Sequence, residues 1–164
     1  MSNSQQATEQ LLSAKIEINT SAADVWAVIA KYNDMYTWAE GIADTVQLSD
    51  AKNGMGAIRV NTAKGFGKIE QKITAWDEGK SFTYIAGVFG PLSQTLSTYS
   101  VLDLGDGKSR CNLDIAYELQ DPSMSGGPAE TGLRQKLEAG LNEILGALKM
   151  RVETGQQVRK HKLS

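Results

Sequence analysis

The end of the chain constrains the fold most. Leu133, Leu137, Leu141, Ile144, Leu145, Leu148 and Val152 recur at helical spacing, while Arg134, Lys136, Glu138, Glu143 and Lys149 fall outside that stripe. Pro128 suits a first helical turn and Gly155 a helix stop, so the spacing predicts one long amphipathic helix between them. What precedes it has a different period. Six segments alternate apolar and polar residues, among them "GAIRVNTA", "GKIEQKITAW", "KSFTYIAG" and "SRCNLDIAYEL", and breaks such as "DAKNGMG", "DEGK" and "LGDGKS" divide them. Asp106-Gly107 is a hairpin signal, because both residues tolerate positive φ.

Ahead of these lies a further alternating segment, Ala14 to Thr20. A helical stretch with Val25, Trp26, Val28 and Ile29 on one face follows, and Ser21 and Asp24 stand as a capping box at its start. A second short helical piece, "NDMYTWAE", delivers Trp38. The predicted order is strand, two short helices, six strands and one long helix. This is an α+β architecture with a seven-stranded antiparallel curved sheet and a single apolar object to cover it. One helix cannot fill a curved concavity, so a pocket between them is expected.

At 164 residues the chain builds one core. We assign residues 1–12 to an N-terminal arm, 13–155 to the folded domain and 156–164 to a flexible tail in which Arg159, Lys160 and Lys162 are solvated. A formal charge of -2 offers no field for nucleic acid. No segment reads as a signal peptide or a membrane span, which predicts a cytoplasmic protein, monomer or homodimer, without membrane insertion. One cysteine and one histidine, Cys111 and His161, argue against a metal site, a histidine-based triad and any cofactor held by such residues.

Alternation also predicts the inner wall of the sheet. Phe82, Tyr84 and Ala86 face inward, as do Thr95, Ser97, Tyr99 and Val101, and Cys111, Leu113, Ile115 and Tyr117. On "KIEQKITAW" the dry face carries Ile69, Gln71, Ile73 and Ala75, which leaves the Gln71 amide facing either a neighbouring tyrosine or a ligand. Trp76 shares parity with the wet residues and is expected to pack at the strand's end. On "GAIRVNTA" simple patterning puts Ile58, Val60 and Thr62 inside and Arg59 outside. Trp26 reads as core and Trp38 as pocket wall, while Cys111 reads as an inert buried thiol. Gly140 and Gly146 lie inside the long helix, where each costs about 1 kcal/mol relative to alanine, so at Gly140 a missing side chain would widen the cavity.

"INTSAADVWAVIAKYNDMYTW", "GMGAIRV", "QKITAWDEGKSFTYIAGVFGPL" and the terminal helix together resemble the START-related helix-grip superfamily, which includes Bet v 1-like proteins and the polyketide cyclase/dehydrase and lipid transport group. The resemblance runs over about residues 14 to 153. It implies an elongated apolar pocket under the last helix, with loops near Gly65 to Gly67 and Gly87 to Leu92 at its mouth. It also points Arg59 of the Gly-x-x-Arg motif into one end of that pocket, against the simple patterning. Relatives often carry Glu where this chain has Gln71, so a role needing a carboxylate there is in doubt.

The candidate ligand-binding residues are therefore Trp38, Arg59 and Gln71; Phe82, Tyr84, Tyr99 and Tyr117 on the sheet; Phe89 and Leu92 at the mouth; and Leu133, Leu137 and Leu141 on the helix. The expected function is binding or transport of a small hydrophobic or amphipathic ligand such as a lipid, isoprenoid, quinone or polyketide. The alternative is a cyclase or dehydratase that positions its substrate and polarises a carbonyl without metal or histidine chemistry. The predicted wall offers no clear carboxylate base, which favours binding.

Overall fold

The computed structural model describes residues 10–160. Its strands are β1 (Gln10–Ile18), β2 (Ile42–Gln47), β3 (Ile58–Ala63), β4 (Gly67–Asp77), β5 (Ser81–Ala86), β6 (Leu92–Gly105) and β7 (Lys108–Leu119). They form one seven-stranded sheet in the order β1-β7-β6-β5-β4-β3-β2, antiparallel at every junction. Helix α1 (Ala22–Ile29) and a 3-10 segment (Tyr32–Thr37) link β1 to β2, and the long helix α2 (Pro128–Thr154) ends the fold. The expected architecture is thus the one the chain adopts.

Local chemistry sets the boundaries. Ser21 caps α1, its hydroxyl accepting from the Asp24 N–H at 3.2 Å. At the β6–β7 turn, Asp106 and Gly107 both take positive φ, at 53° and 71°. Gly155 closes α2 in the left-handed region, φ 74°, and its N–H donates to the Arg151 carbonyl.

Three expectations need correction. First, β1 begins at Gln10, so residues 10–12 of the expected arm belong to the sheet, paired with β7; the remainder of the arm lies outside the described residues. Second, the β4–β5 register shifts between Ile73 and Ala75. This bulge reverses the alternation, leaving Ala75 exposed and turning Trp76 inward, where it stacks on Phe82 at 5.3 Å and meets Trp26 edge-on at 5.1 Å. The Glu78 carboxylate then accepts from both indoles, Trp26 at 3.1 Å and Trp76 at 2.6 Å. Third, the expected free tail is docked as far as it is described. Val158 N–H donates to the Thr37 carbonyl at 2.8 Å, and the Arg159 guanidinium donates to the carbonyls of Ile42 (2.6 Å), Tyr36 (3.1 Å) and Glu40 (3.4 Å). Lys162 and His161 lie outside the described residues.

Helix α2 lies close along β1 and touches α1 and β7 at fewer points; its backbone makes no comparably close approach to β3 through β6. The concave face there is covered by side chains instead. Among the described residues no helix is long and apolar enough to cross a membrane.

Candidate functional site

Arg59 points inward. Its side chain is 3% exposed and that of its strand neighbour Asn61 1%, so β3 buries the face that simple patterning left wet. Cross-strand register explains the choice: Arg59 sits directly opposite Gln71 on β4, and the Gln71 amide oxygen accepts from Arg59 Nε at 2.8 Å and from Asn61 Nδ2 at 3.1 Å. The amide on the dry face therefore meets a guanidinium, not a tyrosine side chain. Arg59 Nη1 donates to the Tyr32 carbonyl at 2.6 Å, and the guanidinium lies 3.8 Å from the centre of the Tyr32 ring and 5.3 Å from that of Tyr84. The Tyr32 hydroxyl donates to the Gln71 carbonyl at 3.1 Å, and Asn61 Oδ1 accepts from Thr45 at 2.8 Å. Arg59 Nη2 is buried without a partner, and among the described residues no carboxylate pairs with the guanidinium.

Aromatic rings fill the wall beside it. Phe82 and Tyr84 lie within 6.2 Å of each other and of Tyr32, and Tyr99 packs 5.3 Å from Phe82. The Tyr99 hydroxyl is buried and unpaired. Burial raises both the Tyr32 and the Tyr99 hydroxyl above the ordinary tyrosine range, so each stays a neutral donor. Burial likewise pushes the Cys111 thiol up to about 12, which disfavours the reactive thiolate.

Two adjoining cavities flank α2. One, of about 150 Å³, lies between Ile42, Ala63 and Phe66 on the sheet side and Gly140, Ile144 and Ala147 on the helix, with Glu40, Lys64 and Glu143 at its rim. The other, of about 340 Å³, is bounded by Trp38, Gly146, Met150 and Arg151 and by tail residues Gln156, Gln157 and Val158. They share Glu40, Glu143 and Ala147 and so form one trough. A Cβ built on Gly140 meets nothing within 4 Å.

The candidate residues fall into distinct groups. Trp38 lines the larger cavity. Arg59 and Gln71 form the polar cluster, which Phe82, Tyr84 and Tyr99 abut. Phe89 meets Phe66 edge-on at 5.6 Å, and Leu92 is fully buried behind that loop. Lys136 caps the Phe66 ring at 4.5 Å, tying the loop before β4 to α2. Leu133, Leu137 and Leu141 lie on the buried stripe of α2. Tyr117 belongs to a separate network, donating to Glu130 at 2.7 Å and accepting from Arg134 at 3.1 Å.

Sequence reasoning missed Glu130, a carboxylate 5% exposed at the start of α2. A signal was present, since it stands three residues after the helix cap Gly127, where an acidic side chain reaches back to free N–H groups; it accepts from Gly126 N–H at 2.8 Å. That bond and the Tyr117 hydroxyl hold it below the usual carboxylate range. Ile42, Ala63, Ile144 and Ala147 were also missed as cavity walls, because small and aliphatic residues carry no signal that separates wall from core.

A curved antiparallel sheet gripping one long helix, with a trough between them, defines the START-like helix-grip class. The chain belongs to the polyketide cyclase/dehydrase and lipid transport family, whose model matches residues 9–153. Solved structures of similar fold include a START superfamily protein from Mycobacterium smegmatis, 16% identical over 89% of this chain and 99% of that one, with a TM-score of 0.69. A Thermobifida fusca protein is 17% identical over 92% and 99%, at 0.73. A Thalictrum norcoclaurine synthase point mutant in complex with a transition-state analogue is 14% identical over 90% and 96%, at 0.67. No curated protein matches the chain.

Proposed function

We propose that this domain binds a small hydrophobic or amphipathic molecule, with the apolar body in the trough under α2 and the polar end toward the Arg59 cluster. One observation carries the reading. The cavity beside Gly140 is walled mainly by apolar side chains, and the helix leaves it unfilled at a position where any larger residue would project into open space. On β3 the inward residues run Ala63, Asn61, Arg59, so the strand that lines the cavity leads to the guanidinium over roughly 13 Å. Ligand contact by Trp38, Gln71, Tyr84, Tyr99, Phe89, Leu92, Leu137 and Leu141 belongs to this same proposal.

Catalysis of the cyclase or dehydratase kind has less support. Glu130 is a carboxylate engaged by Gly126 and Tyr117, and Tyr32 and Tyr99 keep their protons. None of these three is a base poised near neutral pH, and the carboxylates of the trough, Glu40 and Glu143, stand at its rim, away from the Arg59 cluster. The test is native mass spectrometry of the purified protein together with titration of a fluorescent apolar probe on wild type and Gly140→Phe. Probe binding that falls about tenfold or more in the variant, with thermal stability kept, is the expected result. Absence of any co-purifying molecule and of probe binding to the wild type overturns the reading.

A further inference from the structure

We propose that Arg59 is the anchor for an anionic head group, so that the ligand is a small amphipathic acid carrying one carboxylate or equivalent charge. The inference rests on the binding role proposed above and deepens it.

Among the described residues none supplies a counter-charge. A guanidinium does not give up its proton in a protein, so Arg59, at 3% exposure, is a cation withdrawn from water. What it receives is partial compensation: one carbonyl, one amide oxygen and the faces of two tyrosine rings, Tyr32 and, farther off, Tyr84. None of these carries a full negative charge. Burial of an ion is strongly unfavourable unless it is paired, and removal of one partner from a buried pair is what leaves such an orphan. Among the described residues, ion pairs join Arg110 to Glu17 and Lys149 to Glu153, neither at this site.

Two unspent donors mark where a ligand oxygen belongs. Arg59 Nη2 and the Tyr99 hydroxyl are both buried and unbonded, and Tyr84 joins them, its ring 5.3 Å from the guanidinium and 6.2 Å from the Tyr99 ring. An uncharged tyrosine and a cation together suit an acceptor-only oxygen, which a carboxylate provides twice. Between this cluster and the apolar cavity stand Asn61 and Met35. Met35 is unbranched and in contact with the Asn61 amide at 3.3 Å, which makes it the side chain that yields most readily to an incoming ligand.

Two probes with a common aromatic body test the charge. Anilinonaphthalene sulfonate is anionic and phenylnaphthylamine neutral; each is titrated into wild type and Arg59→Met, and unliganded melting is recorded for both proteins. Wild type should prefer the anion by about tenfold or more after correction for the probes' hydrophobicity. Arg59→Met should lose that preference and melt at the same or a higher temperature, because a purely structural arginine would instead leave a destabilised protein. Competition by dodecanoate against dodecanol on the wild type needs no variant, and dodecanoate should displace probe at a lower concentration. Equal displacement by acid and alcohol, or an anion preference that survives Arg59→Met, overturns the proposal. Neutral-probe binding without anion preference removes this inference alone, whereas failure of both probes removes the binding role with it.

Discussion

Tyr32, Tyr99 and Cys111 hold their protons to higher pH than free side chains do, because burial withholds water from the ionised forms. In the unfolded chain they titrate near the ordinary values of 10.0 for tyrosine and 9.0 for cysteine. Between there and the raised folded values the native state binds more protons than the unfolded one, so stability is intact below about pH 9 and falls as pH rises. Each group contributes a slope of at most about 1.4 kcal/mol per pH unit. The urea midpoint should therefore drop between about pH 9 and about pH 10.5. A urea midpoint that stays constant over that range would contradict this assignment. The same scale shows why Arg59 was ambiguous in sequence. Ile58 and Val60 are the apolar residues of that strand, and what draws Arg59 inward, the Tyr32 ring and carbonyl and the Gln71 amide, comes from segments remote along the chain.

Elements were more legible than the residues they carry. Strand limits follow turn chemistry that is local, and α2 follows a stripe visible over its whole length. The β4 bulge and the docked tail were not legible, since both depend on contacts across the fold: Trp76 turns inward to meet Trp26 and Phe82, and Arg159 reaches three carbonyls around the 3-10 segment and β2. On α2, Gly140→Ala should stabilise the protein by about 1 kcal/mol, the helix-propensity difference, because the added methyl meets nothing. Gly132→Ala, equally unobstructed but away from both cavities, should give the same gain. Only the Gly140 variant should weaken probe binding. Equal probe affinity in the two variants would detach the cavity from ligand uptake. At the tail, Arg159→Gln should cost about 1 kcal/mol in urea unfolding, since its bonds are charge-assisted but half-exposed.

The two ends of the molecule are packed differently, and α2 runs through both. Leu145 and Leu148 are 1% and 0% exposed at the end where the aromatic cluster and α1 close the fold, whereas Leu133, Leu137 and Leu141 keep 7–8%. The helix backbone is held by β1 and α1 and makes no comparably close approach to the middle of the sheet, and the trough runs past Gly140, Ile144, Ala147 and Met150, residues other than the sealed Leu145 and Leu148, so a guest can lie there without unpacking them. Division of labour follows for truncations. Leu148→Ala leaves a hole in a close-packed region and should cost toward the upper part of the roughly 2–5 kcal/mol range, with probe affinity unchanged. Ile144→Ala should cost no more than the lower part, because Ile144 is half-buried at the cavity wall, and should alter probe affinity by severalfold. Urea unfolding and probe titration on the two variants read the stability and the binding separately. If Leu148→Ala disturbed the probe as much as Ile144→Ala, binding would engage the whole interior, and the sealed end would have to open for every ligand exchanged.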